Sequence, residues 1–293
     1  MKKLSLLISS LFLSLMLLAN TAFAAEPEVF NVSSARELVN AIGPNRIINL
    51  APTTYNLTEA AGITNKYISW ENTFDGPQLN ITGVSGLTIN GDTNAKDSHL
   101  VVSPAYADVI HFSNCENITL SGLKLGHLKT GGCEGSVLCF NACQKINLLD
   151  CDLYGCGVIG LEVIGCKDVK VVRSIIHDCA QSLMLLKFSN NVLFDNVTFS
   201  HRSEAWGTAI SLNGVITNAT FRNTKFIGFP RQALFRGYQI TLRNFQIKDS
   251  RLIELRPNLS VKSDEPFSFS APKNSDGLGL INLGFNKQAY AGW

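Results

Sequence analysis

An all-β chain, coiled so that short strands stack in parallel, is predicted by three features of this sequence. A short unit recurs through its middle, apolar and polar residues alternate within the unit, and each unit holds a tight polar corner. The unit is clearest in Cys115-Glu116-Asn117-Ile118-Thr119-Leu120, Cys143-Gln144-Lys145-Ile146-Asn147-Leu148 and Cys166-Lys167-Asp168-Val169-Lys170-Val171. With Ile118, Ile146, Val169, Val192, Ala219 and Ile240 taken as equivalent, the steps are 28, 23, 23, 27 and 21 residues. An earlier copy is Gly86-Leu87-Thr88-Ile89-Asn90-Gly91. Alternation with a period of two is the signature of a strand, not of a helix. The consensus asparagine and leucine frame of a leucine-rich repeat are missing.

The corners join the second and third strands of each unit. They read Leu120-Ser121-Gly122-Leu123, Leu149-Asp150-Cys151-Asp152, Val172-Arg173-Ser174-Ile175, Phe194-Asp195-Asn196-Val197, Phe221-Arg222-Asn223-Thr224 and Leu242-Arg243-Asn244-Phe245. Asn, Asp, Ser and Gly tolerate the left-handed backbone of such a bend, and stacked asparagines pair their amides. Three strands and three corners in roughly 23 residues make one coil, and successive coils lie about 4.8 Å apart. The prediction is a single-stranded parallel β-helix of three sheets and seven to nine coils, with Phe112, Phe140, Val163 and Phe188 stacked inside.

From about Phe30 to about Leu255, these repeats resemble the right-handed parallel β-helix superfamily typified by pectate lyases. A short amphipathic helix closing the open end of the coil is what that resemblance implies. The residues supply one: Ser34-Ala35-Arg36-Glu37 forms a capping box, and Ala35, Leu38, Val39 and Ile42 share a face. Gly43-Pro44 ends the helix and Ile47-Ile48-Asn49-Leu50 starts the first strand. Such a cap covers an edge that would otherwise template aggregation.

Residues 1–24 read as a signal peptide. Lys2 and Lys3 precede an apolar run from Leu4 to Ala19, and Ala22-Phe23-Ala24 supplies an A-x-A cleavage site. The coil then occupies residues 25–255, and 256–293 form a tail. Arg256 to Asp276 reads as a loose wrap, and Gly277-Leu278-Gly279-Leu280-Ile281-Asn282-Leu283 as a closing strand. The expected location is the periplasm or the exterior.

Cleavage removes two lysines and leaves 23 basic against 23 acidic side chains. A neutral chain has no electrostatic footprint for nucleic acid or anionic lipid. No later segment is long and apolar enough to span a membrane. All eight cysteines lie between Cys115 and Cys179, without the paired CxxC spacing of a zinc site. Cys115, Cys143 and Cys166 share one corner column, where a small apolar thiol serves as filler. Export into an oxidising compartment predicts at least one disulfide, involving Cys156 with Cys179 or Cys133 with Cys139.

Function belongs to a face of the coil. In the superfamily, the resemblance implies, the cleft lies on the first sheet, walled by loops after the third strand. The first strands place His111, Cys139, Glu162, Lys187 and Ser211 outward in one column, with one inserted residue allowed before Lys187. The bordering loops bring His127, His177, His201, Arg202, Glu204 and Trp206, the last an apolar platform for a sugar ring. A polysaccharide lyase needs a base at the sugar C5 proton and a cation on the uronate carboxylate. Lys187, His177 or His201 fits the base, Arg202 the cation, and Glu162 is the expected essential group. A glycoside hydrolase needs two carboxylates, and Glu162 with Glu204 or Asp178 offers them. The acidic cluster of the superfamily's calcium sites is missing, so no cofactor is expected.

The functional expectation is an exported, monomeric protein that binds a polysaccharide in this groove and cleaves or modifies it. The alternative is a periplasmic or surface binding or scaffold protein without turnover. In that reading His111, Cys139, Glu162, His127 and His177 offer soft and borderline ligands for copper or zinc.

Overall fold

The computed structural model describes residues 25–92, 98–128, 134–155, 158–201, 207–230, 233–255, 260–270 and 275–278. The chain winds as a right-handed parallel β-solenoid, and alternation sorts its residues into an apolar interior and a polar exterior. The first sheet contains Ile110–Ser113, Leu138–Asn141, Ile159–Ile164, Ser182–Lys187 and the start of Thr208–Arg222. The second contains Ser85–Asn90, Glu116–Ser121, Gln144–Leu149, Lys167–Val172, Asn190–Asp195 and the end of Thr208–Arg222. The third contains His99–Val102, Lys124–His127, Asp152–Tyr154, Ile175–His177, Thr198–Ser200 and Lys225–Ile227.

About 5 turns follow this plan, fewer than the seven to nine expected, because the chain departs from it at both ends. Ile68–Asn72 pairs antiparallel with Pro77–Thr82. At the far end Phe235–Leu255 is a single 21-residue strand. Val261–Ser270, expected as a loose wrap, pairs antiparallel with it, as does Ser275–Leu278.

Two register details differ from the sequence expectation. Ala219 pairs with Phe245 and not with Ile240, which instead pairs with Gly214 five residues earlier. Leu186, not Phe188, continues the interior column from Val163. No residue is inserted in that coil. Phe188 instead sits at the corner with φ 49° and is 55% exposed. Its ring leaves no room for a Cβ on Gly214, which also has a positive φ of 66°.

The interior is a set of vertical stacks. Phe112 lies on Phe140 with ring centroids 5.0 Å apart, Phe194 on Phe221 at 4.7 Å and Phe199 on Phe226 at 5.2 Å. The corners between second and third strands are left-handed at Gly122, Asp150, Arg173, Asn196, Asn223 and Asp249, so the last falls at Asp249 and not at the expected Asn244. Asn244 stacks instead at the start of the second sheet, where its Nδ2 donates to Asn218 Oδ1 at 2.8 Å.

Cys115, Cys143 and Cys166 form the predicted column and do more than fill it. The backbone N–H of Cys115 points at Cys143 Sγ at 3.3 Å, and that of Cys143 at Cys166 Sγ at 3.4 Å. Ser189 continues the column, its Oγ accepting from Cys166 N at 3.1 Å. Cys139 and Cys179 are buried free thiols, so neither forms its expected bridge. Cys133 and Cys156, their proposed partners, lie outside the described residues, as does the signal segment.

Helix α1, Ala35–Ala41, caps the coil. Ser34 Oγ accepts the Glu37 N–H at 3.3 Å, while Glu37 Oε2 accepts the Ser33 N–H at 2.7 Å. Leu38, Val39 and Ile42 are buried. A strand precedes this helix: Glu28–Val32 pairs with Arg46–Leu50. Among the described residues no helix is long and apolar enough to cross a membrane.

Candidate functional site

Parallel in-register pairing turns spacing along the chain into neighbourhood between coils. On the outer face of the first sheet the paired residues run Asn80, His111, Cys139, Glu162, Leu185, Ser211 and Arg236. His111, Cys139, Glu162 and Ser211 thus stand in the expected row. Lys187 does not. It pairs with Ile164 and Asn213, two residues further along the strand, and Leu185 holds its place. Its charge still reaches the row and favours the ionised form of Glu162.

Glu162 is the one acid of this row, and it is firmly anchored. Ser136 Oγ donates a short hydrogen bond to its Oε1, and Cys139 Sγ lies 4.0 Å from its Oε2. Burial raises the Glu162 pKa, and the neighbouring Asp108 charge adds to this against the opposing pull of Ser136, His111 and Lys187. Cys139 is 2% exposed. Burial and then the Glu162 carboxylate push its thiol well above the usual range.

Sequence reasoning missed two residues that assemble this site. Asp108 Oδ2 is 2.9 Å from His111 Nδ1. That hydrogen bond raises the imidazole pKa, overcoming the burial that lowers it. The other oxygen, Asp108 Oδ1, accepts the Ser136 N–H at 2.7 Å. Asp108 N in turn donates to Gln78 Oε1 at 2.8 Å. One residue, Ser136, therefore holds both carboxylates. A signal was present: Ser136 follows Asp108 by the same 28 residues that separate Cys139 from His111. Both precede a first strand, where no alternation marks them.

The other expected histidines are elsewhere. His127 is buried with Nε2 2.8 Å from the Ala107 carbonyl, and burial lowers its pKa. It packs inside and lines no groove. His177 belongs to the third sheet, where Nε2 meets Asp152 Oδ1 at 2.9 Å and Nδ1 meets Asp178 Oδ2 at 2.7 Å. Burial lowers its pKa, and the two carboxylates outweigh that and leave it at about 9. His201 is buried against Phe229, with Nδ1 3.8 Å from Asp178 Oδ1. The alternation rule gives inward or outward but not which sheet, and these three sit at or next to third corners. Arg202, Glu204 and Trp206 lie outside the described residues.

His177 is part of a second polar cluster. Tyr154 makes a short hydrogen bond to His99 Nε2, and Lys124 Nζ stands 4.8 Å from the Tyr154 ring centre. Every polar group named there has a partner inside the protein, and the cluster buttresses the third sheet. A cavity of about 300 Å³ lined by Asn31, Val32, Ser33, Asn49, Leu50 and Ala51 holds no titratable side chain.

With the row and its register in place, the comparisons with known proteins are decisive for the fold. The family described as "Right handed beta helix region" matches residues 85–252, more than half of the chain. The chain belongs to this right-handed β-helix family. The β-helix is also similar in structure to an alginate lyase from Paenibacillus sp. str. FPU-7, with a TM-score of 0.51 and 12% identity. That match covers 78% of this chain and 75% of the lyase. A pectate lyase from Paenibacillus sp. 0602 matches at a TM-score of 0.47 and 10% identity, over 85% of this chain and 80% of the other. At 12% identity the likeness to the alginate lyase is one of fold. No curated protein matches this β-helix by sequence.

Proposed function

We propose that this β-helix is an exported protein that binds an extended polysaccharide along its first sheet and cleaves it with Glu162 as the proton carrier. The observation that carries this reading is the linear row. Outward side chains one coil apart stand about 4.8 Å from one another, so a ligand that touches His111, Glu162 and Ser211 together is elongated. A compact ligand would use one or two of them. The fold likeness to a protein that acts on alginate supports the same substrate class.

The chemistry that suits this row is β-elimination on a uronate-containing chain. His111, held by Asp108, and Lys187 supply positive charge for the uronate carboxylate. Glu162 takes the C5 proton, the electron pair forms the C4–C5 double bond, and the C4 oxygen leaves with the next sugar. Hydrolysis is the second reading, favoured by one observation: Ser136 binds both Asp108 and Glu162, two carboxylates on one groove.

The test is a panel of acidic and neutral polysaccharides incubated with the protein and with Glu162→Gln. Products absorbing in the ultraviolet indicate elimination, and new reducing ends without that absorbance indicate hydrolysis. Loss of either in a folded Glu162→Gln variant supports the assignment. Undiminished turnover in that variant places the chemistry elsewhere.

A further inference from the structure

Two members of the row and a residue just before its strand form a set of donors of three different kinds. Asp108, His111 and Cys139 offer a carboxylate oxygen, an imidazole nitrogen and a sulfur that all lie within 4.8 Å of one another. Asp108 and His111 come from one coil and Cys139 from the next, so the coil stacking itself brings them together. The backbone fixes each. His111 and Cys139 are paired in the ladder, and Asp108 is tied through its N–H to Gln78 and through Oδ1 to the Ser136 N–H. A cage of this kind costs little to organise when an ion enters.

We propose that Asp108, His111 and Cys139 bind a divalent ion of the zinc class, leaving a fourth position open toward the groove. The donor types decide the class. Sulfur and imidazole nitrogen suit zinc and its neighbours, whereas calcium and magnesium take oxygen. Three protein ligands and one open position is the arrangement of a zinc ion that meets a substrate. The Asp108–His111 hydrogen bond marks where the ion goes, since the two atoms that now share a proton would share the metal. Cys139 binds as the thiolate, so its proton leaves as the dication enters, and positive charge becomes concentrated on one atom beside Glu162. This site does not depend on which polymer, if any, occupies the groove.

Cobalt(II) is the probe, added to the whole mature protein after chelator treatment with thiols kept reduced. One equivalent is expected to give a near-ultraviolet sulfur-to-cobalt band, and zinc is expected to abolish it. Cys139→Ser should lose the band while keeping its strand-type circular dichroism, and Cys179→Ser should retain it. Asp108→Asn should keep the band but bind at least tenfold more weakly. X-ray absorption at the zinc edge of the wild-type protein needs no variant. It should report one sulfur at about 2.3 Å with nitrogen and oxygen at about 2.0–2.2 Å. A full band in Cys139→Ser, no band in the reduced wild-type protein, or a zinc shell with no sulfur or several would each overturn the proposal. None of these measurements involves a saccharide, so their failure is distinct from failure of the lyase reading.

Discussion

The backbone N–H of Cys143 points at Cys166 Sγ, 3.4 Å away on the next coil. A corner thiol is thus a hydrogen-bond acceptor for the coil before it. At the top of the column Ser189 Oγ does the same for Cys166 at 3.1 Å. The fold treats sulfur and hydroxyl as interchangeable at this corner.

Cys166→Ala should therefore lower stability by about 1–3 kcal/mol, because it leaves a buried N–H without an acceptor and opens a small void. Cys166→Ser keeps an acceptor and should cost less than about 1 kcal/mol. Denaturant midpoints of the two variants check this. Equal losses would show that the sulfur only fills space.

His177 gives a pH dependence with a definite sign. Burial lowers its pKa, but Asp152 and Asp178 raise it to about 9 in the folded protein, against about 6.5 unfolded. Stability from these contacts is fully present below pH 6.5 and is lost as pH rises through about 9. The change has a ceiling of roughly 3 kcal/mol, and the partly exposed carboxylates bring it lower. Unfolding free energy followed from pH 6 to 10 should fall in the wild type and stay nearly level across this window in His177→Gln. Parallel curves would remove the histidine from the account.

The interior and the corner should respond oppositely to loss of a phenylalanine. Phe140 is fully buried and stacked on Phe112, and Phe140→Ala should cost about 3–5 kcal/mol. Phe188 is exposed in a left-handed corner that Asn114 and Gly165 fill on other coils. Phe188→Asn should be neutral or stabilising by up to about 1 kcal/mol. A loss of several kcal/mol in Phe188→Asn would mean that the ring packs where the register says it does not.

Ser136 acts through its neighbours. Ser136→Ala removes the hydroxyl that orients Glu162 but keeps the N–H to Asp108. On a polysaccharide that the protein cleaves, kcat should fall roughly 10- to 100-fold with KM nearly unchanged. A change confined to KM would make Ser136 a substrate contact instead.

The row was legible because vertical neighbours in a parallel coil recur at the repeat length. His111, Cys139 and Glu162 follow at 28 and 23 residues, and the ladder pairs them as that spacing requires. The same arithmetic fails where a coil is misread. Allowing an insertion before Lys187 moved it into the row, whereas the uninterrupted 23-residue step puts Leu185 there.

The sequence by itself determined the β-helix, its capping helix, the cysteine column and three consecutive members of the outward row, because each is written as a period. The tertiary structure decided the rest. Asp108 and Ser136 reach Glu162 and His111 from segments just before first strands, where no alternation constrains a side chain. His127 and His177 lie at the ends of third strands and His201 just past one, where a corner's backbone angle chooses between the interior and the outer face. One is turned inward onto Ala107 and another outward between two aspartates. A period of two specifies a face, and only the folded corner specifies which neighbour that face meets.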